Sequence, residues 1–208
     1  MNMDYEKQLE LKQNLIYESL TRIGKLENPN IKPIIGMENP YNYRNKAQYP
    51  VGINEQGEIE IGFYKKRTHD IVEFDTCHIQ HESNDEIIQT IKDYVKRKNI
   101  SVYNEKTGSG ILRRIVTKVG FATGEIMIVL VTTSGGRYFE ELVTELVAKN
   151  PHVKSIIQNI NKSTGNAVLG PKSKLLYGKE TITDKIGNLE FEISARSFYQ
   201  VNPVQTQV

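Results

Sequence analysis

Tryptophan is absent from these 208 residues, cysteine occurs once, and charge of either sign is barely in excess. A lone cysteine excludes an intramolecular disulfide framework and points to a reducing compartment. It also excludes an iron–sulfur cluster held by this chain's thiolates alone. No apolar run approaches the roughly 20 residues that cross a bilayer. The charged start MNMDYEKQLELKQ lacks the apolar stretch of a secretory signal. With 27 Lys+Arg against 25 Asp+Glu, the net charge is +2, so self-repulsion does not force disorder. There is no Walker loop and no GxGxxG; Gly108-Ser109-Gly110 and Gly135-Gly136 read as turns. These absences predict a soluble, cytoplasmic chain with no membrane partner. The length fits one large domain or two small ones.

What is present is unevenly placed. Seven basic residues and one acid, Glu105, lie between Lys96 and Lys118, a local +6 that leaves −4 for the rest. Such a segment can neutralise phosphates, or it can be a solvated helix end followed by an exposed strand. Tyr41, Tyr43, Arg44, Lys46 and Tyr49 interleave rings with cations, the mixture that unpaired RNA uses for stacking and phosphate contact. The other reading of that run is a hairpin with aromatics inside and lysines outside. Lys65-Lys66-Arg67 follows at the far end of the same hairpin, and Arg113-Arg114 opens the next.

Periodicity predicts the elements. Tyr5, Leu9, Ile16, Leu20 and Ile23 recur at helical spacing, with Asp4 to cap and Gly24 to end the helix in a left-handed turn. Glu27–Pro40, with three prolines, reads as irregular chain. Lys46–Val51 and Glu58–Tyr64 form a hairpin. Ser83 with Glu86 makes a capping box for a second helix, whose stripe is Ile87, Ile88, Ile91, Tyr94 and Val95. A second hairpin pairs Leu112–Val119 with Ile126–Thr132. Phe139, Leu142, Val143, Leu146 and Val147 mark a third helix, and Val153–Ile160 a strand. Gly187-Asn188 joins Thr181–Ile186 to Leu189–Ser194 in a tight hairpin. The order predicts an α+β fold: a mostly antiparallel sheet built from hairpins, with helices packed on one face. Asn202 and Pro203 look like the cap and first turn of a helix cut short by the end of the sequence, as in a piece of a longer polypeptide.

No complete active site is visible. Cys77-His78-x-x-His81 offers three ligands at a spacing that matches no common zinc arrangement. Cys77 has acids at Glu73 and Asp75 nearby, which disfavour a thiolate.

Three stretches carry a resemblance. They are Tyr41-Asn42-Tyr43-Arg44-Asn45-Lys46-Ala47, then Gly62-Phe63-Tyr64 with His69-Asp70-Ile71-Val72 and Cys77, and Ser194-Ala195-Arg196-Ser197-Phe198-Tyr199-Gln200-Val201-Asn202-Pro203. Together they resemble the bacterial RNA (uracil-5-)-methyltransferases of the RumA/TrmA type, nearest to the 23S ribosomal RNA enzymes of Gram-positive bacteria. The resemblance runs over nearly the whole chain and implies the family's central domain. On it, 1–197 is that domain, and 198–208 begins the linker and first helix leading into a Rossmann-like methyltransferase domain. The family's cofactor is S-adenosyl-L-methionine, and many members also carry a 4Fe–4S cluster. Family chemistry begins with a thiolate attacking C6 of uracil, after which C5 takes the methyl group and a base removes the C5 proton. The nucleophile lies in the part that this sequence does not match, so the resemblance implies no catalytic residue here.

Residue by residue, Cys77 matches the family's fourth cluster ligand, without its three partners. Gln200, Phe198 and Asn202 match the Phe-x-Gln-x-Asn-Pro motif of the cofactor and target-base site. Tyr43, Arg44, Lys46, Lys65, Lys66, Arg67, Arg113 and Arg114 are the expected RNA contacts, and 23S rRNA the expected partner. A stand-alone RNA-binding module and a dimerising scaffold are the other readings. A homodimer is expected wherever apolar surface at Phe198–Val208 and the first helix is uncovered.

Overall fold

The computed structural model describes residues 3–208. They form two compact units, the first ending at Pro40 and the second running from Tyr41 to Val208.

In the first unit α1 (Tyr5–Glu18) runs on into a π-wound turn, Ser19–Ile23. Residues four apart hold the proline-rich segment against it. The Tyr5 hydroxyl accepts from Met37 N at 2.8 Å. Leu9 lies so close to Gly36 that a Cβ there would stand 2.7 Å from its Cδ1. Gln13 accepts from Ile34 N at 2.7 Å and donates to Lys32 O at 3.2 Å. The working stripe is therefore 5, 9 and 13. Ile16 and Ile23, expected on it, are 50% and 81% exposed. Asp4 makes no side-chain cap, and Gly24 stays right-handed at φ −76°; Lys25, at φ 54°, takes the left-handed position instead.

The second unit is α+β, as expected. Its main sheet contains β1 (Lys46–Ile53), β2 (Ile59–Ile61), β5 (Leu112–Val119), β6 (Ile126–Thr132), β7 (Val153–Ile160) and β8 (Lys172–Gly178). The order is β2-β1-β5-β6-β7-β8. Every neighbour pair is antiparallel except β6–β7, because α3 (Glu140–Lys149) carries the chain from one to the other. Two short strands, β3 (Phe63–Tyr64) and β4 (Ile71–Val72), form a side ribbon.

The two faces differ. α2 (Ser83–Arg97) and α3 cover one, burying Ile87, Ile91, Leu142 and Leu146 against Tyr49, Ile115, Ile128 and Leu130. Tyr49, one of the interleaved aromatics, belongs to this core; its ring stacks on Phe63 at 5.1 Å, and Phe63 stacks on Phe74 at 4.8 Å. The hairpin β9 (Thr181–Ile186)–β10 (Leu189–Ser194) covers part of the other, setting Ile182 and Ile193 on Val116, Met127 and Val129. Covered on both sides, β6 is buried throughout.

Three local expectations change. The capping box does not form: α2 starts at Ser83, whose hydroxyl shares a 2.8 Å hydrogen bond with His81 Nδ1. Edge strand β8 was not expected, since Lys172-Ser173-Lys174 shows no alternation. Finally, Arg97 and Lys98 of the basic segment pair with Glu145 and Glu141 of α3, which removes them from the free charge.

Candidate nucleic-acid interface

The first and last resembling stretches meet. Asn45, 3% exposed, lies just before β1. Its backbone N–H donates to Val201 O at 2.9 Å and its side-chain amide to Gln200 O at 2.8 Å. One asparagine thus ties down the two consecutive carbonyls of Gln200 and Val201, across 155 residues of sequence. Beside it, Lys118 of β5 is 4% exposed and donates to Ser194 O at 2.6 Å and Ser197 O at 2.9 Å. Burial, and then Lys46 opposite it on β1, push the Lys118 ammonium down to about 8. The turn is also self-tied. Ser194 N donates to the Ser197 hydroxyl at 2.9 Å and Ser197 N to the Ser194 hydroxyl at 3.1 Å. Further along, Tyr199 donates to Asp184 at 3.0 Å, and burial, followed by this carboxylate, raises the tyrosine's pKa. Asn202 caps α4 (Pro203–Thr206) by accepting from Gln205 N at 3.0 Å, as its sequence predicts.

This clasp determines what the last stretch presents. Tyr199 is tied inward between Phe198, which is 84% exposed, and Gln200, which is also exposed. Asn45→Ala is expected to cost about 1–2 kcal/mol by leaving Gln200 O without its donor. Thermal melting should show it, with faster amide exchange across 198–206 than across β6.

The cations sort by strand geometry. Side chains alternate along β1 and β5, and Lys46 sits opposite Lys118 while Pro50 sits opposite Arg114. Lys46, Lys118 and Arg114 therefore share the helix-free face, the last two about 14 Å apart along the strand. The Arg114 guanidinium lies 5.4 Å from the Tyr64 ring centre. Tyr43 and Arg44 are half-buried beside the clasp, with Arg44 N donating to Ile79 O at 3.0 Å. Lys65, Lys66 and Arg67 form the exposed turn between β3 and β4.

Arg113 departs from its expected outward position. A register shift between Leu112 and Arg114 turns it inward, where it is 9% exposed. It donates to Asn161 O at 2.8 Å and Ser163 O at 2.7 Å and lies 4.2 Å from the Tyr103 ring centre. Asn161 in turn donates to Ala167 O at 2.7 Å, while Asn159 accepts from Gly170 N at 2.7 Å. Arg113 thus holds the base of the 161–170 loop. Sequence reading missed Asn45, Lys118 and Asn161. For Lys118 and Asn161 the available signal was their setting beside apolar runs; Asn45, between Arg44 and Lys46, has none.

Cys77 is half-buried, on the segment leading into α2. Among the described residues no three His, Cys, Asp or Glu side chains are grouped so as to hold a metal ion. One thiolate does not meet a 4Fe–4S cluster's need for four, so no chemistry of this chain is assigned to one. Among the described residues no helix is long and apolar enough to cross a membrane.

No family model matches the chain. It is 47% identical over 208 residues to an uncharacterized RNA methyltransferase of Halalkalibacterium halodurans, covering 100% of this chain and 45% of that protein. An uncharacterized RNA methyltransferase of Clostridium acetobutylicum is 47% identical over 209 residues, covering 99% and 45%. Among solved structures, the Pyrococcus abyssi tRNA (uracil-54, C5)-methyltransferase in complex with S-adenosyl-L-homocysteine matches with a TM-score of 0.75 and 26% identity, over 99% of this chain and 46% of that one. Along its whole length the chain is therefore similar to RNA methyltransferases, and it spans somewhat under half the length of each of these relatives.

Proposed function

We propose that this chain is the RNA-holding part of an S-adenosylmethionine-dependent RNA (uracil-5-)-methyltransferase that forms 5-methyluridine in 23S rRNA. On this reading it is inactive alone. The observation that carries the reading is the clasp: Asn45 ties the cation-bearing start of β1 to the Phe-x-Gln segment. RNA gripped along Lys46 and Arg114 is then held in fixed relation to exposed Phe198 and Gln200. Phe198 and Gln200 would face the cofactor and target base, while Asn202 sets the direction of α4. The cofactor supplies an electrophilic methyl group when bound; these residues orient what lies beside it. Arg44, Lys65, Lys66 and Arg67 extend the phosphate-contacting surface, and Arg113 supports it from inside. Self-association through exposed Phe198, Val204 and Val208 belongs to the same reading.

Arg44→Ala with Lys46→Ala is expected to weaken binding of a 23S rRNA stem-loop by about tenfold and to lower the salt slope by nearly two counterions. Filter binding at several salt concentrations measures both. Unchanged affinity and slope overturn the interface. Incubation of this chain with S-adenosylmethionine and that RNA should transfer no methyl group. In the longer protein carrying it, 23S rRNA should be methylated and tRNA should not. The tRNA arm is needed because the Pyrococcus abyssi enzyme is named for a tRNA position.

A further inference from the structure

Beyond the clasp a groove of about 780 Å³ opens between the β1–β2 turn and residues 102–106. One wall is a preformed stack: the Tyr64 and His69 rings lie 5.1 Å apart at 27°. The His69 side chain is 72% exposed, so the outer face of its ring is open. Its Nδ1 is fixed by Glu105 at 2.6 Å, whose other oxygen lies 3.5 Å from the Tyr64 hydroxyl. Glu55, Glu60 and Asp70 add three more carboxylates. Arg114 and Lys106 supply positive charge, and among the described residues no carboxylate lies within ion-pair distance of Arg114. The exposed Lys65-Lys66-Arg67 turn links Tyr64 to His69 and adds charge at the rim.

A site for phosphate alone would not contain four carboxylates, and a site for an apolar ligand would not contain Lys106 and Arg114 beside the inward-turned Arg113. A nucleotide has both needs. We propose that the groove holds one unpaired RNA nucleotide whose base carries an exocyclic amino group. The base stacks on the outer face of His69 and its amino group donates to the carboxylates, while its phosphate lies toward Arg114 and Lys106. Adenine, cytosine and guanine carry such a donor; uracil has no exocyclic amino group and is disfavoured. The groove is therefore a flanking-base subsite, separate from the place of a target uracil. This rests on the reading that the chain binds RNA.

The test is fluorescence anisotropy with labelled oligoadenylate, oligocytidylate and oligouridylate of about six nucleotides, a length within one single-strand site. Oligoadenylate and oligocytidylate should bind at least about fivefold tighter than oligouridylate. His69→Ala should weaken oligoadenylate at least about fivefold, and His69→Phe should restore it, because the stacking face returns. Since His69 is exposed, thermal melting should match the wild type in both variants. Equal affinity for oligouridylate, an unaffected His69→Ala, or no rescue by His69→Phe overturns the subsite. Arg44→Ala with Lys46→Ala should weaken all three probes alike and keep the base preference. Loss of that general weakening alone overturns the clasp-side interface and leaves the groove standing. If no probe binds at any salt concentration, both readings fall.

Discussion

Arg113→Ala is expected to lower the unfolding free energy by about 3 kcal/mol or more, the sum of two charge-assisted hydrogen bonds less partial relaxation. For a domain of this size that is a fall in Tm of roughly 6–12 °C. The guanidinium is buried, donates from one nitrogen, Nη1, to both Asn161 O and Ser163 O, and covers the Tyr103 ring. Alanine leaves two carbonyls short of a donor and a void against an aromatic face. Arg113→Lys should recover only part of the loss, because a compact ammonium lacks the planar guanidinium face that lies over the Tyr103 ring. Limited proteolysis should cut the alanine variant first within 162–169, where Asn161, Asn159 and Arg196 would be left to hold the loop ends. RNA affinity should fall in step with loop order rather than with charge, so the salt slope should stay near that of the wild type. Arg114→Ala should do the reverse, changing the slope and leaving Tm within about 1 °C. A Tm shift below about 2 °C for Arg113→Ala would sink the assignment of that side chain to the interior.

These two neighbours show where the sequence was readable and where it was not. Charge and spacing made Arg113 and Arg114 equivalent; the register shift at Leu112 separates them, one inside and one on the open face. That shift has no local signature, since it comes from how β5 pairs with β6. Where local chemistry decides, expectation and structure agree. Gly187, at φ 58°, makes the two-residue turn between β9 and β10, a conformation costly for most other residues. The α2 stripe reads directly from its 3.6-residue period, because one face meets the core and the other water. β8 was hidden because an exposed edge strand has no buried face to impose alternation. The Ser83 capping box was displaced by His81, a competing local partner that spacing rules do not weigh. The candidate site followed the same division. Its ends, Tyr43–Lys46 and Phe198–Pro203, were legible as motifs. Their junction through Asn45 was not, because a contact across 155 residues leaves no mark in either stretch.

Lys118→Met should alter the pH dependence of stability more than its value at neutrality. At pH 7 two effects oppose. Methionine fills the stem's space and removes a buried charge, but it leaves Ser194 O and Ser197 O without a donor, which costs about 1–3 kcal/mol. Above pH 7 the balance moves in one direction. In the folded chain Lys118 releases its proton near 8, whereas in the unfolded chain it keeps it to about 10.5. Between those values the unfolded state binds more protons, so wild-type stability rises with pH. The neutral amine still donates to both carbonyls and no longer bears the cost of a buried charge. Relative to the methionine variant, the wild type should gain on the order of 2–3 kcal/mol between pH 7 and pH 10, at no more than about 1.4 kcal/mol per pH unit. Tyr49 and Tyr199 titrate in both proteins, so subtracting the two curves cancels them. Urea unfolding at pH 7, 8, 9 and 10 gives that difference directly. Parallel curves would mean that Lys118 titrates as it would in water, and hence that the 194–197 turn does not seal over it. In that case the rigid presentation of Phe198 and Gln200 fails with it, since the same turn sets the direction in which both leave the sheet.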